Sequence, residues 1–313
     1  MHRISAERVD AALDWPSLIA AMCEAHSRPA HPEIGDMLLW QGKRSLLVRA
    51  SIFAGLGIGL KALTVFPDNP SREPPKPTLQ GEFLLFDEDD GRLLAAIDGA
   101  AITPWKTAAD SALGASILAR ADVKVMAMIG AGAMAKPLIE AHVAARPSLE
   151  RIVLWNRTKG NAEKLAAGLA HIGCQISVAE DAEAAVGGAD IISTATLATE
   201  PLVHGRWLKP GVHLDLVGAY RPDMREADDE ALRRGRIFAD SRATTIEHIG
   251  ELMLPIRNGV IGAADIEGDL FDLCQGRCRP RGADDITIFK NGGGAHLDLI
   301  TARHIYGRTH SAA

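Results

Sequence analysis

The sequence predicts an α/β protein of two domains, an N-terminal α+β domain built on an antiparallel sheet and a doubly wound domain built on a parallel one. Three observations carry this. Between Met37 and Phe86 short apolar runs, MLLW, SLLVRAS, LKALTVF and GEFLLFD, are separated by glycine, proline and charged turns, the texture of antiparallel strands. From Asp122 onward, buried-type strands alternate with helical segments, as in a parallel sheet. A chain of 313 residues also exceeds what one hydrophobic core usually serves, so two domains of roughly 100 to 200 residues follow. The first is placed at residues 1–120, with a C-terminal helix, 295–313, returning to it, and the second at 121–294.

Taken in order, Ser5 to His26 carries Val9, Leu13, Leu18, Ile19 and Met22 at mostly helical spacing after a capping serine, giving one or two short helices. The stretch from Pro67 to Pro77 is too rich in proline for a helix or central strand and is expected to be an exposed loop. FDEDDGRLLAAID reads as a hairpin turning at Asp90 and Gly91. A helix is expected from Ile102 to Ala119, capped by Thr103 with Pro104 at its first position. The parallel strands fall at Val123 to Ile129, Arg151 to Trp155, Gln175 to Val178, Ile191 to Ser193, His213 to Leu216 and Arg236 to Ala239. Asp284 to Lys290 supplies a last strand and Ala295 to Ile305 a last helix.

Composition narrows the function. A formal charge of -6 and a pI near 6.0 provide no basic field for nucleic acid or anionic lipid, so small molecules are the expected partners. The longest uncharged stretches, Ala50 to Leu60 and Val125 to Ala135, are shorter than the roughly 18 residues that span a bilayer. The opening MHRISAERVD lacks the apolar run of a signal peptide, which makes the cytoplasm the default address. Cys23, Cys174, Cys274 and Cys278 are scattered, which suits a reducing compartment. Cys274 and Cys278 with His248 or His296 do not complete a zinc pattern, so no metal is expected.

The sharpest motif is GAGAMA, which follows the apolar strand VKVMAMI and precedes an alanine-rich helix. Gly130 makes the tight turn, Gly132 leaves room for a pyrophosphate at the helix N-terminus, and Ala135 lets helix and strand touch. Gly130, Gly132, Ala133 and Met134 are therefore assigned to a dinucleotide in a Rossmann domain. At the end of the next strand, where an NAD site places an acid, stand Asn156, Arg157 and Thr158. A guanidinium there pairs with a 2′-phosphate that an acid would repel, so NADP(H) is preferred and NAD(H) remains an option. Thr194, Ala195, Thr196 and Leu197, with Val217, Gly218 and Ala219, follow two further strands and are expected to border the nicotinamide half.

These segments, together with LKALTVFPDNP, GEFLLFDEDDGRLLAAIDGAAIT, TAA at Thr107 to Ala109, WNRTKGNAEKLA, GADIISTATLATEPL, VGAYRPDMREAD and DDITIFK, resemble the ornithine cyclodeaminase and mu-crystallin family over nearly the whole chain. The resemblance implies a homodimer formed through the N-terminal antiparallel strands, an active site in the cleft between the domains, and hydride transfer between nicotinamide and an amino or imino acid carbon. It also puts Lys61 in the substrate pocket as the catalytic candidate and Thr107 near the cofactor phosphates. The pattern breaks in four places. Tyr220 stands where cyclodeaminases carry an aspartate, and Lys106 replaces an arginine. No arginine lies around Ile34 to Leu38, so Arg49 is the candidate substitute. Asn291 with Gly292 to Gly294 replaces a serine-containing stretch. Lys106, Arg49 and Tyr220 are accordingly taken as substrate contacts, and Asn291 as a cofactor contact.

The expected activity is an NAD(P)H-dependent reduction of a ketimine or cyclic imino acid of the pyrroline- or piperideine-2-carboxylate type, or equivalently amino acid dehydrogenation. One rival is ornithine cyclodeaminase, for which an aspartate reaching the pocket from elsewhere is the structural clue. Another, of a different class, is a non-catalytic, crystallin-like protein holding NADPH and a ligand. A shikimate-dehydrogenase-like enzyme shares the NRT triplet but fits the N-terminal half poorly.

Overall fold

In the computed structural model, which describes residues 2–310, the chain divides into two compact units, Met1–Thr107 with Gly293–Ala313, and Ala108–Gly292. Residues 311–313 of the expected C-terminal segment lie outside the described residues.

The first unit is a six-stranded sheet of β1 (His2–Ile4), β2 (Glu33–Gln41), β3 (Arg44–Phe53), β4 (Gly57–Val65), β5 (Leu79–Phe86) and β6 (Leu93–Asp98), in the order β1-β6-β5-β4-β3-β2. All neighbours are antiparallel except β1 and β6. The β5–β6 hairpin closes at the expected place, with Gly91 at φ +70°. The Pro67 to Pro77 stretch is irregular apart from a short 3-10 turn, Asn69–Ser71, and mostly exposed. Helices Ala6–Ala12 and Trp15–His26 fill the expected N-terminal helical region. The helix Ala295–His310 packs along β3, β4 and β5 and against Trp15–His26. At the far edge, β2 exposes four consecutive apolar side chains, Met37, Leu38, Leu39 and Trp40, the last 60% accessible.

The second unit is a wholly parallel sheet of eight strands: β7 (Val125–Ile129), β8 (Arg151–Trp155), β9 (Gln175–Val178), β10 (Ile191–Thr194), β11 (His213–Leu216), β12 (Arg236–Ala239), β13 (Ile266–Gly268) and β14 (Thr287–Lys290). Their order is β13-β12-β14-β11-β10-β7-β8-β9, so the winding reverses between β7 and β10, and ligands of such sheets bind outside the strand ends at that reversal. The expected strands form within a residue or three of their predicted bounds.

The helix expected from Ile102 runs instead over Gly99–Leu118, and the division between units falls inside it. Thr103 is not its cap. Asp98 Oδ1 accepts from the N–H groups of Ala100 and Ala101, while the Thr103 hydroxyl donates back to Gly99 O, as a threonine inside a helix does. Pro104 therefore sits within the helix. In the second unit a methyl at Gly114 would meet the Phe289 ring at 2.9 Å, so glycine lets this helix approach β14. No helix among the described residues is long and apolar enough to cross a membrane.

Candidate active site

In the parallel unit the glycine turn is built as the motif requires. Gly130 has φ +106°, which a side chain rarely adopts, and a Cβ there would lie 2.6 Å from Ala195 O in the segment after β10. The Ala131 N–H donates to Asn156 Oδ1 at 3.1 Å, so the end of β8 supports the turn. Gly132 has open space where its Cβ would be, a cradle that a larger side chain would fill. Ala133 is also exposed, Met134 is the N-cap residue, and the helix Ala135–Ala145 follows with Ala135 fully buried. Pro137 is the third helical residue, where its missing N–H costs no hydrogen bond. These residues fit a dinucleotide: free N–H groups at a helix start, an uncrowded glycine, and no carboxylate at Asn156, Arg157 or Thr158. Arg157 and Thr158 are exposed, and Arg157 has no ion-pair partner among the described residues. Asn156 Nδ2 donates to Thr158 O at 2.9 Å, which sets the shape of this strand end.

Beyond β10 and β11, Thr194 is buried, Leu197 is 75% exposed, Val217 and Gly218 are half-buried, and Ala219 is fully buried. Tyr220 is 58% exposed beside the Arg221 guanidinium. Asn291 is buried, its amide donating to Ser111 Oγ at 3.0 Å.

In the first unit, one register row crosses the sheet from Asp36 on β2 through Arg49 on β3 and Lys61 on β4 to Phe83 on β5. Residues in a row share a face, so Arg49 and Lys61 project together. Lys61 is 2% exposed, and its Nζ donates to Asp298 Oδ1 at 2.7 Å. Asp298, on the helix Ala295–His310, is fully buried, and its Oδ2 has no hydrogen-bond partner among the described residues. Arg49 pairs with Asp36 at 3.3 Å and donates to Gly293 O; Lys106 donates to the same carbonyl at 2.9 Å. Thr107, the residue after Lys106, is buried.

Three cations thus surround one buried carboxylate. Burial would raise the Asp298 carboxyl, but Lys61, then Lys106 and Arg49, hold it below the usual carboxylate range. Burial pushes the Lys61 ammonium below its ordinary value, Arg49 adds to this, and Asp298 opposes it. This excess of positive charge favours an anionic ligand, and the planar Arg49 guanidinium has the geometry that pairs with a carboxylate. Lys61, Arg49 and Lys106, singled out from the sequence separately, come together here. Asp298 was not foreseen, although a single acid within the apolar run AHLDLITA was the available signal. It is an aspartate reaching Lys61 from another element, the clue set out above for a cyclodeaminase.

The profile of the ornithine cyclodeaminase/mu-crystallin family matches residues 38–313. A Delta(1)-pyrroline-2-carboxylate reductase of Paracoccus denitrificans is 46% identical over 294 residues, covering 94% of this chain and 92% of the relative. Among solved structures, the Thermococcus litoralis Delta(1)-pyrroline-2-carboxylate reductase in complex with NADH and L-proline superposes with a TM-score of 0.91 at 26% identity, covering 100% of this chain and 98% of that one. An archaeal alanine dehydrogenase dimer with bound NAD also gives 0.91 at 26% identity, covering 100% and 97%.

Proposed function

The chain belongs to the ornithine cyclodeaminase/mu-crystallin family, and from that premise we propose that it is an NAD(P)H-dependent reductase of a cyclic imino acid of the pyrroline- or piperideine-2-carboxylate type. The observation that carries the substrate class is the cluster of Arg49, Lys61 and Lys106 about the single buried carboxylate of Asp298. The first unit is assigned to substrate and dimerisation and the parallel unit to the dinucleotide.

In the reaction, Arg49 and Lys106 neutralise the substrate carboxylate and orient it through charge-assisted hydrogen bonds. The Lys61 ammonium donates a proton to the imine nitrogen, which makes the adjacent carbon electrophilic. A bound dihydronicotinamide supplies the hydride that this carbon accepts, so C=N becomes CH–NH. Asp298 keeps Lys61 cationic despite its burial and holds Nζ in one direction. Water is excluded from Lys61 and Asp298, which strengthens each of these charges.

We further propose NADP(H) as the preferred cofactor. The solvent-facing Arg157, without an ion-pair partner among the described residues, supports it, and no acid at 156–158 opposes a 2′-phosphate. A homodimer through β2 is proposed because an edge strand with four exposed apolar residues is a surface that a second copy would cover.

Purified protein is expected to oxidise NADPH faster than NADH with pyrroline-2-carboxylate or piperideine-2-carboxylate. Arg157→Ala is expected to remove that preference by on the order of tenfold. No oxidation of either nucleotide across both imino acids and pyruvate plus ammonia would overturn the reading. The Lys61–Asp298 contact favours one second reading, ornithine cyclodeamination, which would be established by proline and ammonia appearing from ornithine with NAD.

A further inference from the structure

Glu226 joins two strand-end segments of the parallel unit. Its side chain is fully buried. Oε1 accepts from the Thr196 N–H and from the Thr196 hydroxyl, both at 2.8 Å. Oε2 accepts from the N–H of Gly218 at 2.6 Å and that of Ala219 at 3.3 Å. Thr196 follows β10, and Gly218 and Ala219 follow β11, the neighbouring strand. One carboxylate therefore closes the gap between two segments that lie beside the reversal of the sheet.

The fit around this junction is tight. A Cβ at Gly218 would lie 2.2 Å from Thr196 O and 2.5 Å from Glu226 Oε1, so the residue must be glycine for the clamp to close. The same β10 segment abuts the glycine turn, since a Cβ at Gly130 would lie 2.6 Å from Ala195 O. Behind the clamp, the fully buried Glu251 accepts from the N–H groups of Glu226 at 2.7 Å and Ala227 at 3.0 Å. The buried Lys290 ammonium donates to Leu216 O and Asn291 O, at the ends of β11 and β14. A carboxylate with four donors in a water-free site makes a stiff junction. Neither backbone N–H at 218 and 219 can be served by an amide nitrogen, so glutamine is not an equivalent.

We propose that Glu226 is a positioning residue for the nicotinamide half of the dinucleotide: it sets the spacing of the segments after β10 and β11, and so of the backbone groups they present, without touching the cofactor. The proposal rests on the dinucleotide reading above. It concerns only one half of the ligand, because the adenine end is assigned to the glycine turn and the end of β8.

The test is a titration of the full-length wild type, Glu226→Gln and Thr196→Val with NADPH and with 2′-phospho-ADP-ribose, which carries the adenine end and no nicotinamide. Glu226→Gln is expected to weaken NADPH by on the order of tenfold or more and to leave 2′-phospho-ADP-ribose unchanged. Thr196→Val, isosteric and lacking one of the four hydrogen bonds, is expected to shift NADPH the same way by about threefold. Equal weakening of both ligands, or unchanged NADPH affinity, overturns the proposal. If the wild type binds neither ligand, the dinucleotide reading falls and the clamp with it; if wild type and Glu226→Gln bind both alike, the clamp alone falls. Should Glu226→Gln not fold, Glu226→Asp, which keeps the charge but shortens the reach to Thr196 and Gly218, is titrated in its place and decides by the same affinity ratio.

Discussion

Lys61 on β4 and Asp298 on the C-terminal helix, 237 residues apart in sequence, form an ion pair of 2.7 Å in which both side chains are withdrawn from water. Removing one partner leaves the other charged and unpaired in a dry site, at a cost of about 3–5 kcal/mol. Asp298→Asn and Lys61→Met are each expected to lower the melting temperature markedly and to reduce turnover by on the order of a hundredfold or more. The double variant Lys61→Met, Asp298→Leu is expected to regain most of the stability and none of the activity. Thermal melts beside steady-state rates check this; a double variant as unstable as the singles would show that the pair does not act as a unit.

Gly132 separates folding from binding. Its Cβ position meets no atom of the protein, so Gly132→Val is expected to change stability by no more than about 1 kcal/mol while weakening NADPH by on the order of tenfold or more. Gly130→Ala is different, because φ +106° and the contact with Ala195 O make any side chain costly to the fold itself. Calorimetric melts and nucleotide titration of the two variants distinguish the roles.

Stability is expected to fall as pH rises through neutrality because of Glu251. Burial first and the neighbouring Glu226 second push its carboxyl up to about 7, against the opposing Lys290 and the two N–H groups it accepts. A folded-state value above the unfolded one means that the native protein holds a proton the unfolded chain releases. The associated stability is therefore full below the unfolded carboxyl range and is lost as pH climbs through about 7. The loss is on the order of 3 kcal/mol. Glu251→Gln cannot titrate, and its amide nitrogen leaves one of the two N–H groups unserved at every pH, so its melting temperature relative to wild type is expected to rise from pH 5 to pH 8; a difference independent of pH would contradict this origin.

The exposed edge of β2 yields an association prediction. Trp40→Asp with Leu38→Asp, both on largely exposed side chains, is expected to leave the fold intact and convert a dimer into a monomer in sedimentation velocity. A wild type that sediments as a monomer would remove this role for β2.

How much of this was legible in the sequence depends on the physical scale of each signal. The parallel strands could be read because short runs buried on both faces alternate with helical segments, most plainly where the run is apolar end to end, as in Val125–Ile129. The Lys61 neighbourhood was half legible: the family resemblance pointed to its three cations one by one, but their convergence depends on a strand register and a helix hundreds of residues away. β1 and β13, three residues each, carry too little pattern to be seen. The cap at Asp98 was hidden by Thr103 and Pro104, which look like a helix start but lie one turn inside it. Glu226 was invisible for another reason. It lies in the acidic stretch RPDMREADDE, where nothing in composition separates the one fully buried carboxylate from its more exposed neighbours.

The most direct measurement of the central claim follows the hydride. Wild-type protein is incubated with pyrroline-2-carboxylate and NADPH deuterated at nicotinamide C4, separately on each face, and the product is analysed by NMR and mass spectrometry. The expected result is proline carrying one deuterium at Cα from one of the two labelled faces and none from the other, with Lys61→Met forming almost none. No proline, or proline whose Cα hydrogen comes from solvent with both labels, would contradict the assignment of this site to imine reduction.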